Sequence, residues 1–460
     1  MKKICNKISK KGIVAVLLTF MMMLTTIIPV WAEQPQQTLD LSQWAIGALN
    51  EGERYGIYPA EWYYDSFRSE ISQERLEVLL ANTDNKIAAL ELNKKEDFIP
   101  VSYNGDSTRS DVLIKMYNIL AQYDLPIGES PVDYMKDQGI LQGTSKGLEL
   151  DQICTTEQAV ILATRLVEDT YNLLDAGSKG FAWEVEHNGN VIYFLGSIHI
   201  GNNELYPIEQ RLKQAFNESD ALIVEANLFD QEGGMEYFLE KSTYQDDATL
   251  KDNISQETYE KVLKVFEKLD LPEEVYSQIK PWRVANDLSV ISMTSSEESQ
   301  IASQSAGLGI DIYFLTKALI TQKPIQELEG IKYQADLFDG LSPEFQEEYL
   351  NAILDGILDP QTNEAPDSAQ MLDEWLKQWR NGDVEGFTSD YNGITEESEN
   401  ELTNMLFGKR DKDMAKKIID ILESEEKGTY FVVVGAGHFV RDNTVIHHLR
   451  EKGYNVEVFQ

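Results

Sequence analysis

Five histidines occur in the 460 residues: His187, His199, His438, His447 and His448. Two of them share one local setting. Leu195-Gly196-Ser197-Ile198-His199 follows the apolar run Val191–Leu195, and Val434-Gly435-Ala436-Gly437-His438 follows Tyr430–Val434. Each is an apolar strand and then Gly-x-x-His. A glycine lets the chain turn sharply out of a sheet. An imidazole just past the carboxyl end of a strand stands where open α/β sheets bind ligands. Glu225 follows a third apolar run, Ala221–Val224, and brings a carboxylate to the same kind of edge. Two imidazoles and a carboxylate are a workable ligand set for a divalent metal, which activates water for hydrolysis. His199 acting as a plain general base gives an esterase-like variant of the same chemistry. One Gly-x-x-His alone carries little weight; a pair after equivalent strands carries much more.

The remaining histidines read differently. His187 falls in a hairpin turn, where solvation is expected. His447 and His448 are neighbours on one helix and diverge by about 100°, so surface positions are expected for both. Cys154, flanked by Ile153 and Thr155, reads as a buried structural thiol.

The elements that must carry the two motifs begin near Gly177. Phe181–Glu186 alternates like a strand, His187-Asn188-Gly189-Asn190 is a hairpin signal, and Val191–Leu195 is fully apolar. A helix is expected over about 207–218. Long helical segments follow over about 232–292 and 342–425. The polar stretch Gly386–Glu401 reads as a loop or helix start. A strand over 430–434, a helix over 445–452 and a strand over 456–459 close the chain. Apolar strands separated by helices indicate a mixed, mainly parallel α/β sheet covered on both faces.

Residues 40–175 have another texture. Apolar stripes at helical spacing recur at Trp44–Leu49, Leu76–Leu80, Val112–Leu120 and Val160–Val167. Ile71-Ser72-Gln73-Glu74-Arg75, Thr108-Arg109-Ser110-Asp111 and Thr155-Thr156-Glu157-Gln158-Ala159 read as successive helix starts. The last comes after Gly139-Ile140-Leu141-Gln142-Gly143. These starts loosely resemble degenerate S-layer homology repeats, whose usual role is docking to cell-wall polysaccharide. Only the second keeps Thr-Arg, with Asp111 in place of Glu.

Ahead of this region, Lys2, Lys3, Lys7, Lys10 and Lys11 precede the apolar stretch Ile13–Val30, and Val30-Trp31-Ala32 is spaced like a signal-peptidase site. The division is therefore 1–32 signal peptide, 33–175 helical domain and 176–460 α/β domain. The expected location is secreted or cell-surface, with an uncleaved membrane anchor as the alternative reading of 1–32. The chain carries 78 acidic and 40 basic side chains, a net charge of −38. That excludes most nucleic-acid binding, which needs clustered Lys and Arg.

Residues from about 180 to 460 resemble the TraB/GumN family, which is related to the Tiki proteases. The blocks Phe194–Gly201, Ala221–Glu225, Gly309-Ile310-Asp311, Lys323-Pro324-Ile325, Leu328-Glu329, Arg410 with Met414-Ala415, and Val433–Val440 occur in the family's order, closed by Leu449, Gly453-Tyr454 and Val456. The resemblance implies a metal-dependent peptidase acting at the membrane or cell exterior, with Mn²⁺, Co²⁺ or Zn²⁺. It makes His199, Glu225 and His438 candidate metal ligands or catalytic residues, with Arg410 catalytic. Asp311 and Glu329 stand behind them. The family's Glu-Arg-Asn reads Lys409-Arg410-Asp411 here. Without the resemblance, Arg410 lies in a charge run that would be solvated, Asp311 would cap a helix over 312–319, and Trp282 would pack in the core.

The expectation is thus an exported, peptidase-like metallohydrolase acting on a peptide or protein. The rivals are a non-catalytic protein that sequesters an extracellular peptide, and a structural protein held to a wall polymer by the helical region.

Overall fold

The computed structural model describes residues 40–229, 233–293, 304–359, 368–395 and 401–459. The segment expected to be a signal peptide lies outside them. Among the described residues, one compact unit holds the chain up to Ser178 together with Asn203–Arg211. The other holds Lys179–Asn202 and the chain from Leu212 onward. No helix among the described residues is long and apolar enough to cross a membrane.

The first unit is helical, as its periodicity requires, with helices at Ile46–Arg54, Gln73–Ala88, Arg109–Ala121, Pro131–Asp137 and Thr156–Leu173. Side-chain oxygens cap the expected starts. Ser72 accepts from Arg75 N–H, Thr108 from Asp111 N–H, and Thr155 pairs with Gln158 in a capping box. The segment before Thr156 laces these starts together: Cys154 C=O accepts from Ile71 N–H, and Gln152 C=O from Arg109 N–H. Cys154 is fully buried, which pushes its thiol up to about 12 and leaves it inert.

The second unit is built on a six-stranded sheet. Its strands are β1 Phe181–His187, β2 Asn190–Ser197, β3 Ala221–Val224, β4 Ile325–Glu327, β5 Thr429–Gly435 and β6 Glu457–Val458. The spatial order is β4-β3-β5-β2-β1-β6. β1 and β2 form the expected hairpin, and Asn188 and Gly189 both take the positive φ that its two-residue turn demands. β2, β5, β3 and β4 run parallel, while β1 is antiparallel to β2 and to β6. Every residue of β3 and the last five of β5 are buried, which is why these strands read as unbroken apolar runs. The four parallel strands deliver their carboxyl ends to one edge. Ser197, Val224, Glu327 and Gly435 end them there.

Within the stretch read as a loop or helix start, a helix runs over Val384–Thr395. Phe387 and Tyr391, one turn apart, stack with ring centroids 5.5 Å apart and pack against Trp375. Two aromatics at that spacing suffice to bury one face of a polar sequence. His447 and His448 are adjacent on the helix Val445–Glu451 and both are half-buried. Both reach the carboxylate of Glu451, at 3.4 and 3.3 Å, because positions three and four apart are both neighbours on a helix. His187 ends β1, half exposed, with Nε2 3.0 Å from Glu423. Trp282 is core, stacked on Phe338 at 5.3 Å.

Asn190 joins the hairpin to the approach of β5. Its amide donates to the carbonyls of Leu422 and Ser424 and accepts from Gly428 N–H, all at 3.0–3.1 Å, and it is fully buried. Asn190→Ala strands three backbone groups. The expected cost is about 2–4 kcal/mol, read as a fall in the denaturant midpoint with an unchanged m-value.

Candidate active site

Gly196 is not a turn residue. It still pairs within β2, and an added Cβ would meet the Ala436 backbone at 3.1 Å. The first motif therefore needs glycine because the end of β5 comes so close. Trp379 fixes the position further, its indole N–H donating to Gly196 C=O at 2.8 Å.

Two residues past β2, His199 is 1% exposed. Its Nδ1 lies 2.6 Å from Asp311 Oδ2, and Ser197 Oγ donates to Asp311 Oδ1 at 2.6 Å. Asp311 stands in the first turn of the helix Ile310–Thr321, whose Ile310 N–H bonds Ile198 C=O. Its carboxylate is thus occupied with His199 and Ser197 rather than capping a helix. Burial opposes its ionisation, but His199 and the hydrogen bonds outweigh this and hold the carboxyl below its ordinary range.

The second motif repeats the arrangement. His438, also 1% exposed, lies in the short helix Gly437–Val440. Its Nδ1 is 2.9 Å from Asp411 Oδ1, while Asp411 Oδ2 accepts from Gly408 N–H at 2.8 Å. Two imidazoles, each held by a carboxylate, thus follow the paired strand ends Ser197 and Gly435.

Glu225, Glu329 and Arg410 form a third group. Arg410 begins the helix Lys409–Leu422 and is 1% exposed. It grips Glu329 with two nitrogens, at 2.7 and 2.6 Å, and reaches Glu225 at 3.2 Å. Glu225 also accepts from Gly435 N–H at 2.8 Å. Gln334 donates to both carboxylates, at 3.4 Å to Glu225 and 3.0 Å to Glu329. Burial opposes the charges of Glu329 and Arg410, yet each outweighs that penalty for the other. Glu329 is held below its ordinary range and Arg410 above its own.

The six sequence candidates thus fall into linked groups: His199 with Asp311, His438 with Asp411, and Glu225 with Glu329 and Arg410. Asp411 is not among the six, yet it had a usable signal, an acid three residues after Gly408 at a helix start. Gln334 had none. The expected metal set His199, Glu225 and His438 does not assemble. Among the described residues no group of three or more His, Cys, Asp or Glu side chains is placed to hold an ion. The carboxylate of Glu225 is instead taken up by Arg410, Gln334 and the Gly435 N–H.

Residues 181–458 match the model of the TraB/PrgY/gumN family. The chain belongs to this family. Among curated proteins, a metalloprotease TIKI homolog of Amphimedon queenslandica is 23% identical over 325 residues, covering 61% of this chain and 62% of that protein. Metalloprotease TIKI1 of Xenopus tropicalis is 23% identical over 321 residues, 60% of this chain and 61% of that one. The chain thus spans less than two thirds of either TIKI relative. YbaP of Escherichia coli (strain K12), described as uncharacterized, is 24% identical over 260 residues, 56% of this chain and 87% of its own length. No solved structure matches. Membership covers the unit that carries both Gly-x-x-His motifs.

Arg410→Met leaves two buried carboxylates without their cation, and the expected loss is about 3–5 kcal/mol in urea unfolding. The site also makes stability depend on pH. Asp311 and Glu329 titrate below their ordinary values of 3.8 and 4.5 when folded. The native state then binds fewer protons than the unfolded one, so this stabilisation is full above those values. It is lost as pH falls through them toward the folded pKa values. The urea midpoint is expected to drop below about pH 4.5, with a flatter drop in Glu329→Gln.

Proposed function

We propose that the chain is a hydrolase of peptide or protein substrates, working at the edge formed by β2, β3 and β5. The observation that carries this is the pair of buried imidazoles, each with Nδ1 held by a carboxylate. An ionised Asp311 keeps the His199 proton on Nδ1, so the basic lone pair is on Nε2. His199 then takes a proton from water as the water oxygen attacks the carbonyl carbon. His438, oriented by Asp411, donates a proton to the departing amine as the C–N bond breaks. Arg410, Glu225 and Glu329 hold the strand ends in register.

The names of the TIKI relatives suggest a divalent metal, Mn²⁺, Co²⁺ or Zn²⁺ being the ions expected. The donors described do not assemble around one, so the steps above use imidazole alone. We also propose that the protein works outside the cytoplasm, on the strength of the pattern in residues 1–32. Attachment of the helical unit to a wall polymer is the further proposal, read out by sedimentation with cell walls.

The test is hydrolysis of a mixed peptide pool by the chelator-treated protein. His199→Ala is expected to lower kcat by about 10²–10⁴-fold, and Asp311→Asn to lower kcat with little change in KM. Activity seen only after Mn²⁺, Co²⁺ or Zn²⁺ is added back would overturn the metal-free route. Peptide binding without turnover in the wild type would favour sequestration instead.

A further inference from the structure

We propose that Arg441 is a carboxylate-binding residue that orients the substrate beside His438. This rests on reading the site as a peptide hydrolase. Arg441 follows the short helix that carries His438. Its guanidinium carbon lies 4.6 Å from the centroid of the Phe407 ring, and that ring lies 5.5 Å from the His438 imidazole. The three groups form one contiguous patch.

The Nη1 atom of Arg441 is shielded from solvent and has no hydrogen-bond partner. An unmade bond at such an atom is costly. Arg410 holds two carboxylates, whereas no described carboxylate pairs with Arg441. Packing against Phe407 fixes the plane of the fork without using its donors. Arg441 as a whole is only half-buried, and its planar, charged fork has the shape that receives a carboxylate through two parallel hydrogen bonds.

The neighbouring groups sharpen the assignment. Asp311, Glu225, Glu329 and Asp411 bring four carboxylates to the edge, of which Arg410 answers Glu225 and Glu329. An anionic substrate group is repelled by these carboxylates and attracted at Arg441. Arg441 therefore sets which way a peptide lies rather than drawing anions in generally. The carboxylate is supplied by a free C-terminus or by an Asp or Glu side chain.

The experiment is calorimetric titration of the full chain with three N-acetylated octapeptide pools of Gly, Ala, Ser and Leu. One pool has a free C-terminal carboxylate, one a C-terminal amide, and one a C-terminal amide with a single internal Glu. The wild type is expected to bind one or both carboxylate pools about tenfold more tightly than the neutral amide. The better of the two identifies the source. In Arg441→Gln the difference is expected to fall below about twofold, with Arg441→Lys between. Equal binding of all pools, no binding of any, or a preference that survives Arg441→Gln in protein with an unchanged melting temperature overturns the proposal. The hydrolase reading fails separately: the binding preference is then seen with no turnover of any pool.

Discussion

A guanidinium that is 1% exposed must have its charge answered, and Arg410 has it answered twice. Glu329 and Glu225 come from the ends of different strands, and Arg410 comes from the first turn of a helix. Burying three charges is unfavourable unless each is paired and the remaining lone pairs are satisfied. Gln334 and the Gly435 N–H supply that satisfaction. The triad thus works as a registration pin. Its energetic worth is modest as long as it is intact, but it cannot be half built.

The rest of the edge depends on this pin. Fixing Arg410 fixes its neighbour Asp411 on the same turn, and Asp411 holds His438. Fixing Glu225 fixes Gly435, the first glycine of the second motif. Ala436 then bonds Ser197 C=O, which sets the start of the segment that carries His199. The two imidazoles are therefore tied to one ionic core by short chains of backbone and side-chain bonds.

Much of this was legible because the strands speak plainly. A strand buried on both faces reads as an apolar run, and the residues just after such a run must sit at the sheet edge. His199, His438 and Glu225 were found that way. Asp311, Glu329 and Arg410 were visible only through family resemblance, since an acid after a turn or an Arg in a charge run has no local mark of burial. Gln334 left no trace, because its role depends on two carboxylates that meet only in three dimensions. The glycine of the first motif was noticed for the wrong reason: it serves the approach of a neighbouring strand rather than a turn. The helix over Val384–Thr395 was read only as part of a long helical segment, because two aromatics among ten weakly patterned neighbours do not mark its bounds.

The position of β5 has a consequence for how the molecule comes into being. It lies between β2 and β3, and its first tie to the hairpin, from Gly428 to Asn190, spans 238 residues. Until that late stretch emerges, β2 and β3 have no common neighbour, and Glu225 lacks the amide it accepts from. Pairing over such separations closes slowly. During synthesis the edge therefore stays open and unassembled until the last part of the chain has been made.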